Sequence, residues 1–181
     1  MAKFVLAIFV VVAAVVGYFL VQKLELETRS ISLSVEIRGP SKEDIFASLI
    51  DPYLITSLHP LADNPAVTDL QKSKNDIGND QVTYTYHEVI PMFGIYNQKT
   101  SLPTTMTVLE PNSMVQFNVS VHSDLLKVHQ YWELTDIADG SVKVTDNLAI
   151  TSYGILARYA ASEALKAHTM LLNNLKKKLE Q

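Results

Sequence analysis

The chain has 181 residues, 48% of them hydrophobic and 19% charged, and a formal net charge of −4; this composition excludes a disordered chain. The weakly acidic balance lacks the basic footprint of nucleic-acid binding, so no nucleic-acid partner is expected. With no cysteine, disulfides, thiolate metal sites and a cysteine nucleophile are excluded.

Phe4 to Val21 reads FVLAIFVVVAAVVGYFLV, an uncharged apolar run. As a helix it would span about 27 Å, the hydrocarbon thickness of a thin bilayer such as the endoplasmic reticulum. A cleaved signal peptide is the competing reading, but its apolar region is normally about 7–15 residues. Ala13, Ala14 and Gly17 are small, yet they sit inside the run and mark no cleavage site. Residues 1–27 are therefore read as a membrane anchor with its flank, and 28–181 as one domain. Lys3 precedes the run, whereas Lys23, Arg29 and Arg38 follow it. That bias leans toward a cytosolic C-terminal domain. The expected location is a membrane crossed once, with the endoplasmic reticulum as the candidate organelle.

Ile31, Leu33, Val35 and Ile37 alternate with Ser32, Ser34, Glu36 and Arg38, the period of a half-buried strand. Gly39-Pro40 ends it. Ser41 offers a helix cap with Glu43 and Asp44 in the first turn, and Ile45, Phe46, Leu49 and Ile50 give that helix one apolar face. Asp51-Pro52 breaks it, and Tyr53 to Leu58 is read as a second short helix before His59-Pro60. Strands follow at Val67–Ser73, Gln81–Ile90, Tyr96–Leu109, Ser113–Val121, Lys127–Asp136 and Ser141–Ile150. Pro91 to Gly94 is expected to be a loop, and Pro103 must bend its strand or lie at an edge. Short connections make the sheet antiparallel. Asn118-Val119-Ser120 matches a glycosylation acceptor, but in a strand it is read as a chance match. From Tyr153-Gly154 to the end the period is helical. Leu156, Ala160, Ala164, Ala167, Leu171 and Leu175 form one stripe.

The fold class is therefore α+β: a seven-stranded curved antiparallel sheet, two short helices and one long C-terminal helix across its concave face. The stripe is small in its first half, so it leaves space rather than filling it. An apolar void costs stability unless a ligand occupies it, which points to an internal pocket.

This element order, together with Gly39-Pro40-Ser41 before the Ile45-Phe46 helix, Asp51-Pro52 and His59-Pro60, Tyr131-Trp132-Glu133-Leu134 before Asp139-Gly140-Ser141, and the tail Ala167-His168 through Leu171-Leu172 to Leu175, resembles the START-related superfamily. This is the helix-grip fold of lipid-transfer domains, the birch pollen allergen group and polyketide cyclases. The resemblance covers about Ser30 to Gln181 and implies a hydrophobic ligand, a lipid or sterol-like molecule, held between sheet and long helix. The anchor departs from the plain soluble members and suggests a carrier or sensor held at a membrane by residues 4–21.

The candidate ligand-binding residues are Tyr84, Tyr86, Met92, Phe93, Phe117, Gln130, Trp132, Leu156, Ala160 and Ala164. The aromatic ones read equally as core, since the concave face is both. Gln116, Asn118 and Gln130 are the amides that, if inward, need a partner. The uncharged loop from Pro91 to Tyr96 could gate the pocket or dip into a membrane. Among five histidines, no pair has helical ligand spacing, and no His-Glu-x-x-His run occurs, so no metal and no cofactor are expected. His122 and His129 could meet only if their strands pair in register. A cyclase- or hydrolase-type enzyme is the second reading and would need an inward acid–base residue such as His129 or Glu88. A pocketless interaction domain filled by Tyr and Trp is the third.

Overall fold

A computed structural model describes residues 25–92, 95–121 and 126–181 of the chain. In order, these form β1 (Leu26–Ile37), α1 (Lys42–Leu49), α2 (Pro52–Leu58), β2 (Ala62–Lys74), β3 (Asp80–Met92), β4 (Tyr96–Glu110), β5 (Met114–Val121), β6 (Leu126–Asp136), β7 (Val142–Tyr153) and α3 (Gly154–Leu179). The apolar run at residues 4–21 lies outside the described residues. Among the described ones, no helix is long and apolar enough to cross a membrane.

Local chemistry sets the entry to the fold. The alternation of β1 continues back to Leu26, so the strand starts earlier than its apolar residues suggest. It pairs with β7 from Leu26↔Tyr153 to Ile37↔Val142. Gly39 turns the chain at φ 102°, a conformation that favours glycine. Ser41 Oγ then accepts the Asp44 N–H at 3.1 Å, capping α1. Asp51 Oδ1 accepts the N–H groups of Tyr53 and Leu54 at 2.9 and 3.3 Å. Pro52 takes the first helical position of α2, where its missing donor costs nothing.

The sheet order is β1-β7-β6-β5-β4-β3-β2, with all neighbours antiparallel. Strands β2 to β7 follow one another as neighbours. The one long step is from β1 to β2, where α1 and α2 carry the chain to the opposite edge. Helix α3 returns along the concave face against β1 and β7. The core sits at one end, where Ile37, Ile45, Leu49, Trp132 and Val144 meet Leu171, Leu172 and Leu175 of α3.

Three expectations change. Strand β2 begins at Ala62, not Val67, because register shifts at Ala62/Val67 and Thr68/Gln71 break the alternation that would reveal it. Pro91 and Met92, expected in a loop, extend β3 and pair with Asn97 and Tyr96, so the connection shortens to residues 93–95. The β2–β3 ladder has already ended at Ala62↔Glu88, so no partner strand faces Pro91 on that side. Pro103 lies inside a central strand rather than an edge one. It stands one position beyond Thr104, where the β4–β5 ladder ends, so β4 is locally an edge there.

Candidate functional site

Between the sheet and the first half of α3 lies a cavity of about 540 Å³. It exists because Ala160 and Ala164 stand where larger side chains would meet the sheet. Tyr84, Tyr86, Phe117, Gln130 and Trp132 line it from the strands, and Leu156, Ala160 and Ala164 from the helix. Phe93 lies outside the described residues, and of Met92 only the backbone, at the end of β3, is described. Of the lining residues, Leu156 and Tyr96 are 42% and 55% exposed. Among the described residues, the exposed part of the wall therefore lies between Leu156 at the start of α3 and Tyr96 at the start of β4. Ala167, His168 and Leu171 line its far, closed end.

A polar string crosses this closed end. Val142, Val144, Leu148 and Ile150 point inward from β7, and in the same register stands Asp146, fully buried. Its Oδ2 accepts from His168 Nδ1 at 2.7 Å, and its Oδ1 accepts from Gln130 Nε2 at 2.8 Å. The His168 ring meets His59 edge-on, with centroids 5.5 Å apart. His59 Nδ1 lies 2.7 Å from the Tyr86 hydroxyl and 3.4 Å from the Leu61 N–H. Because Nδ1 receives both donors, His59 carries its proton on Nε2. Burial, then the nearby His168, pull His59 down to about 3, so it stays neutral at physiological pH. Glu88 follows Tyr84 and Tyr86 on the inward face of β3. Desolvation pushes its carboxyl up to about 7, partly offset by His168. No hydrogen bond or ion pair from another described residue reaches that carboxyl.

Other polar candidates face away. Phe117 points inward, so Gln116 and Asn118 point outward with the period of the strand. On the outer face Asn118 Oδ1 lies 2.6 Å from His129 Nδ1 and accepts from Gln116 Nε2 at 3.2 Å. His129 is thus corrected as an inward acid–base candidate: it lines an open depression on the convex side with Thr83, Thr85 and Thr105. His122 lies outside the described residues. Among those residues no cluster of His, Asp and Glu is placed to hold a metal. Glu88, expected as an inward acid–base candidate, does line the cavity; the residues missed by sequence reasoning, Asp146, His168 and His59, left partial signals. Asp146 is a charge at an apolar-phase position of β7, and His168 lies on the stripe between Ala164 and Leu171.

No protein-family model matches the chain, and no curated protein sequence is similar to it. Solved structures do share its fold. The Zhui aromatase/cyclase from Streptomyces sp. R1128 superposes with a TM-score of 0.61 at 10% identity, covering 85% of this chain and 94% of that one. A START superfamily protein from Mycobacterium smegmatis gives 0.57 at 17% identity, over 84% and 97%. Ara h 8.0201 gives 0.56 at 13%, over 84% and 98%. The di-domain aromatase/cyclase BexL gives 0.60 at 10%; 85% of this chain is covered but only 50% of BexL, so the chain spans about half its length. Identities this low show the fold alone, and the fold is the helix grip.

Proposed function

We propose that this chain binds a hydrophobic small molecule, a lipid or sterol-like compound, inside the cavity and carries or senses it at a membrane. The observation that carries the reading is the cavity itself: about 540 Å³ of space walled mainly by apolar side chains beneath an alanine-rich stretch of α3. Apolar burial supplies affinity, and the few inward polar groups orient the ligand. The uncharged run at residues 4–21 is the proposed tether, with the domain on the cytosolic side, the endoplasmic reticulum being the candidate membrane. What supports this reading is where the described residues begin: the Glu25 carbonyl accepts the Gly154 N–H at 3.2 Å at the start of α3, beside Leu26, Ile155 and Leu156, which are exposed. The test is mass spectrometry of the full chain purified in amphipol, under native and denaturing conditions. A defined hydrophobic species is expected; a stable but empty chain that no hydrophobic probe stabilises would overturn the reading.

One observation favours an enzyme of the cyclase or hydrolase type as a second reading. Asp146 holds the proton of His168 on Nδ1, leaving Nε2 as the ring's other nitrogen, in a cavity that also contains Glu88, raised to about 7. A base and an acid of this kind are suited to proton transfer on a bound carbonyl compound. Loss of turnover in His168→Ala, with probe binding retained, separates catalysis from carriage.

A further inference from the structure

The charge of the cavity wall restricts what it can hold. Among the described residues that line it are two glutamates, Glu88 and Glu163, and no lysine or arginine. Glu163 already pairs with Lys166 at 2.6 Å. Glu88 has no such partner and faces into the space between β3 and α3. The polar groups that line the same cavity are Tyr84 and Tyr86 on its own strand, Tyr96, Gln98 and Thr100 on β4, His59 after α2, and Tyr159, Glu163 and His168 on α3. None of these is a permanent cation. Closer to the sheet floor, Asp146 adds a further carboxylate.

An anionic head group would meet Glu88 and Glu163 in a low-dielectric space with no lysine or arginine among the described lining residues, an unfavourable arrangement. A cation meets the opposite situation. The unpaired carboxyl of Glu88 gains a partner, and the faces of Tyr84, Tyr86, Phe117 and Trp132 carry the negative quadrupole that attracts ammonium groups. Resting on the ligand-binding reading, we propose that the natural ligand is a hydrophobic amine whose protonated nitrogen is held by Glu88 within this aromatic wall. By the same groups, fatty acids and anionic phospholipids are disfavoured as ligands on this proposal.

The test uses the full chain in amphipol and three probes of equal chain length: dodecylamine, dodecanol and dodecanoate, each displacing a fluorescent apolar probe. At about pH 8 the amine is expected to bind at least about tenfold more tightly than the alcohol and the carboxylate to bind most weakly. In Glu88→Gln the amine-to-alcohol ratio should fall to about 1. The wild-type series stands without the variant, should the variant fail to fold. Dodecanoate or dodecanol binding as tightly as the amine overturns the proposal while leaving the cavity reading intact. So does an unchanged ratio in a folded Glu88→Gln. Failure of all three to bind overturns the ligand-binding reading instead, and this proposal with it.

Discussion

Glu88 and His59 show how single buried groups set the pH response. Glu88 keeps its proton up to about 7 in the fold, against an ordinary 4.5, because burial disfavours its charge. Between those values the folded chain binds more protons than the unfolded one, so this contribution is complete below pH 4.5. It is lost as pH rises through about 7, by about 3 kcal/mol. His59 has the opposite sign: its value falls from 6.5 to about 3, so its contribution is complete above 6.5 and declines as pH falls. Urea denaturation across pH should therefore show Glu88→Gln gaining on the native chain between pH 4.5 and 7 and holding a constant difference above. A difference independent of pH would mean that Glu88 does not titrate in that window. Asp146 is the structural counterpart. Asp146→Ala leaves the donors of His168 and Gln130 unpaired in the interior and should cost about 3 kcal/mol in the same experiment.

At the scale of the element, α3 is two helices in one. Its second half carries Leu171, Leu172 and Leu175 into the core; its first half carries alanines, of which Ala157 is tightly packed while Ala160 faces the cavity. The same substitution should therefore act in opposite ways. Ala157→Leu overpacks a filled site and should cost about 1–3 kcal/mol. Ala160→Leu adds methylenes to empty space and should leave stability unchanged or raise it by about 1 kcal/mol, while abolishing probe binding. Denaturation midpoints and probe titrations of the two variants read this directly. Equal destabilisation by both would mean that the space above Ala160 closes in solution.

For the whole molecule, the open cavity couples folding to occupancy. Core and cavity share one sheet, so a ligand that binds only the folded chain stabilises all of it. An excess of about 100 times Kd should contribute about 2.7 kcal/mol and raise the thermal midpoint in proportion to the logarithm of concentration. Ala160→Leu should show a flat response to the same ligand. A native midpoint that ignores every hydrophobic probe would place the apolar wall in the structural role of core alone.

Several parts of this architecture are legible in residue patterns alone. The alternation at Ile31–Ile37, the caps at Ser41 and Asp51, and the small-to-large gradient from Ala160 to Leu175 predict the strand, the two short helices and the half-filled groove. They can do so because period, cap chemistry and side-chain volume are local properties. The early start of β2 was hidden because bulges interrupt its period. The strand positions of Pro91 and Pro103 depended on where neighbouring ladders stop. The polar string was hidden for a stronger reason. Asp146, Gln130, His168, His59 and Tyr86 come from four separate strands and helices and one loop, and only strand register and helix docking set His168 Nδ1 at 2.7 Å from Asp146. Local sequence determined the elements and the space between them. The charge and hydrogen-bonding character of that space was decided by tertiary structure, because it arises from groups distant in the chain whose solvation changes only when they are brought together.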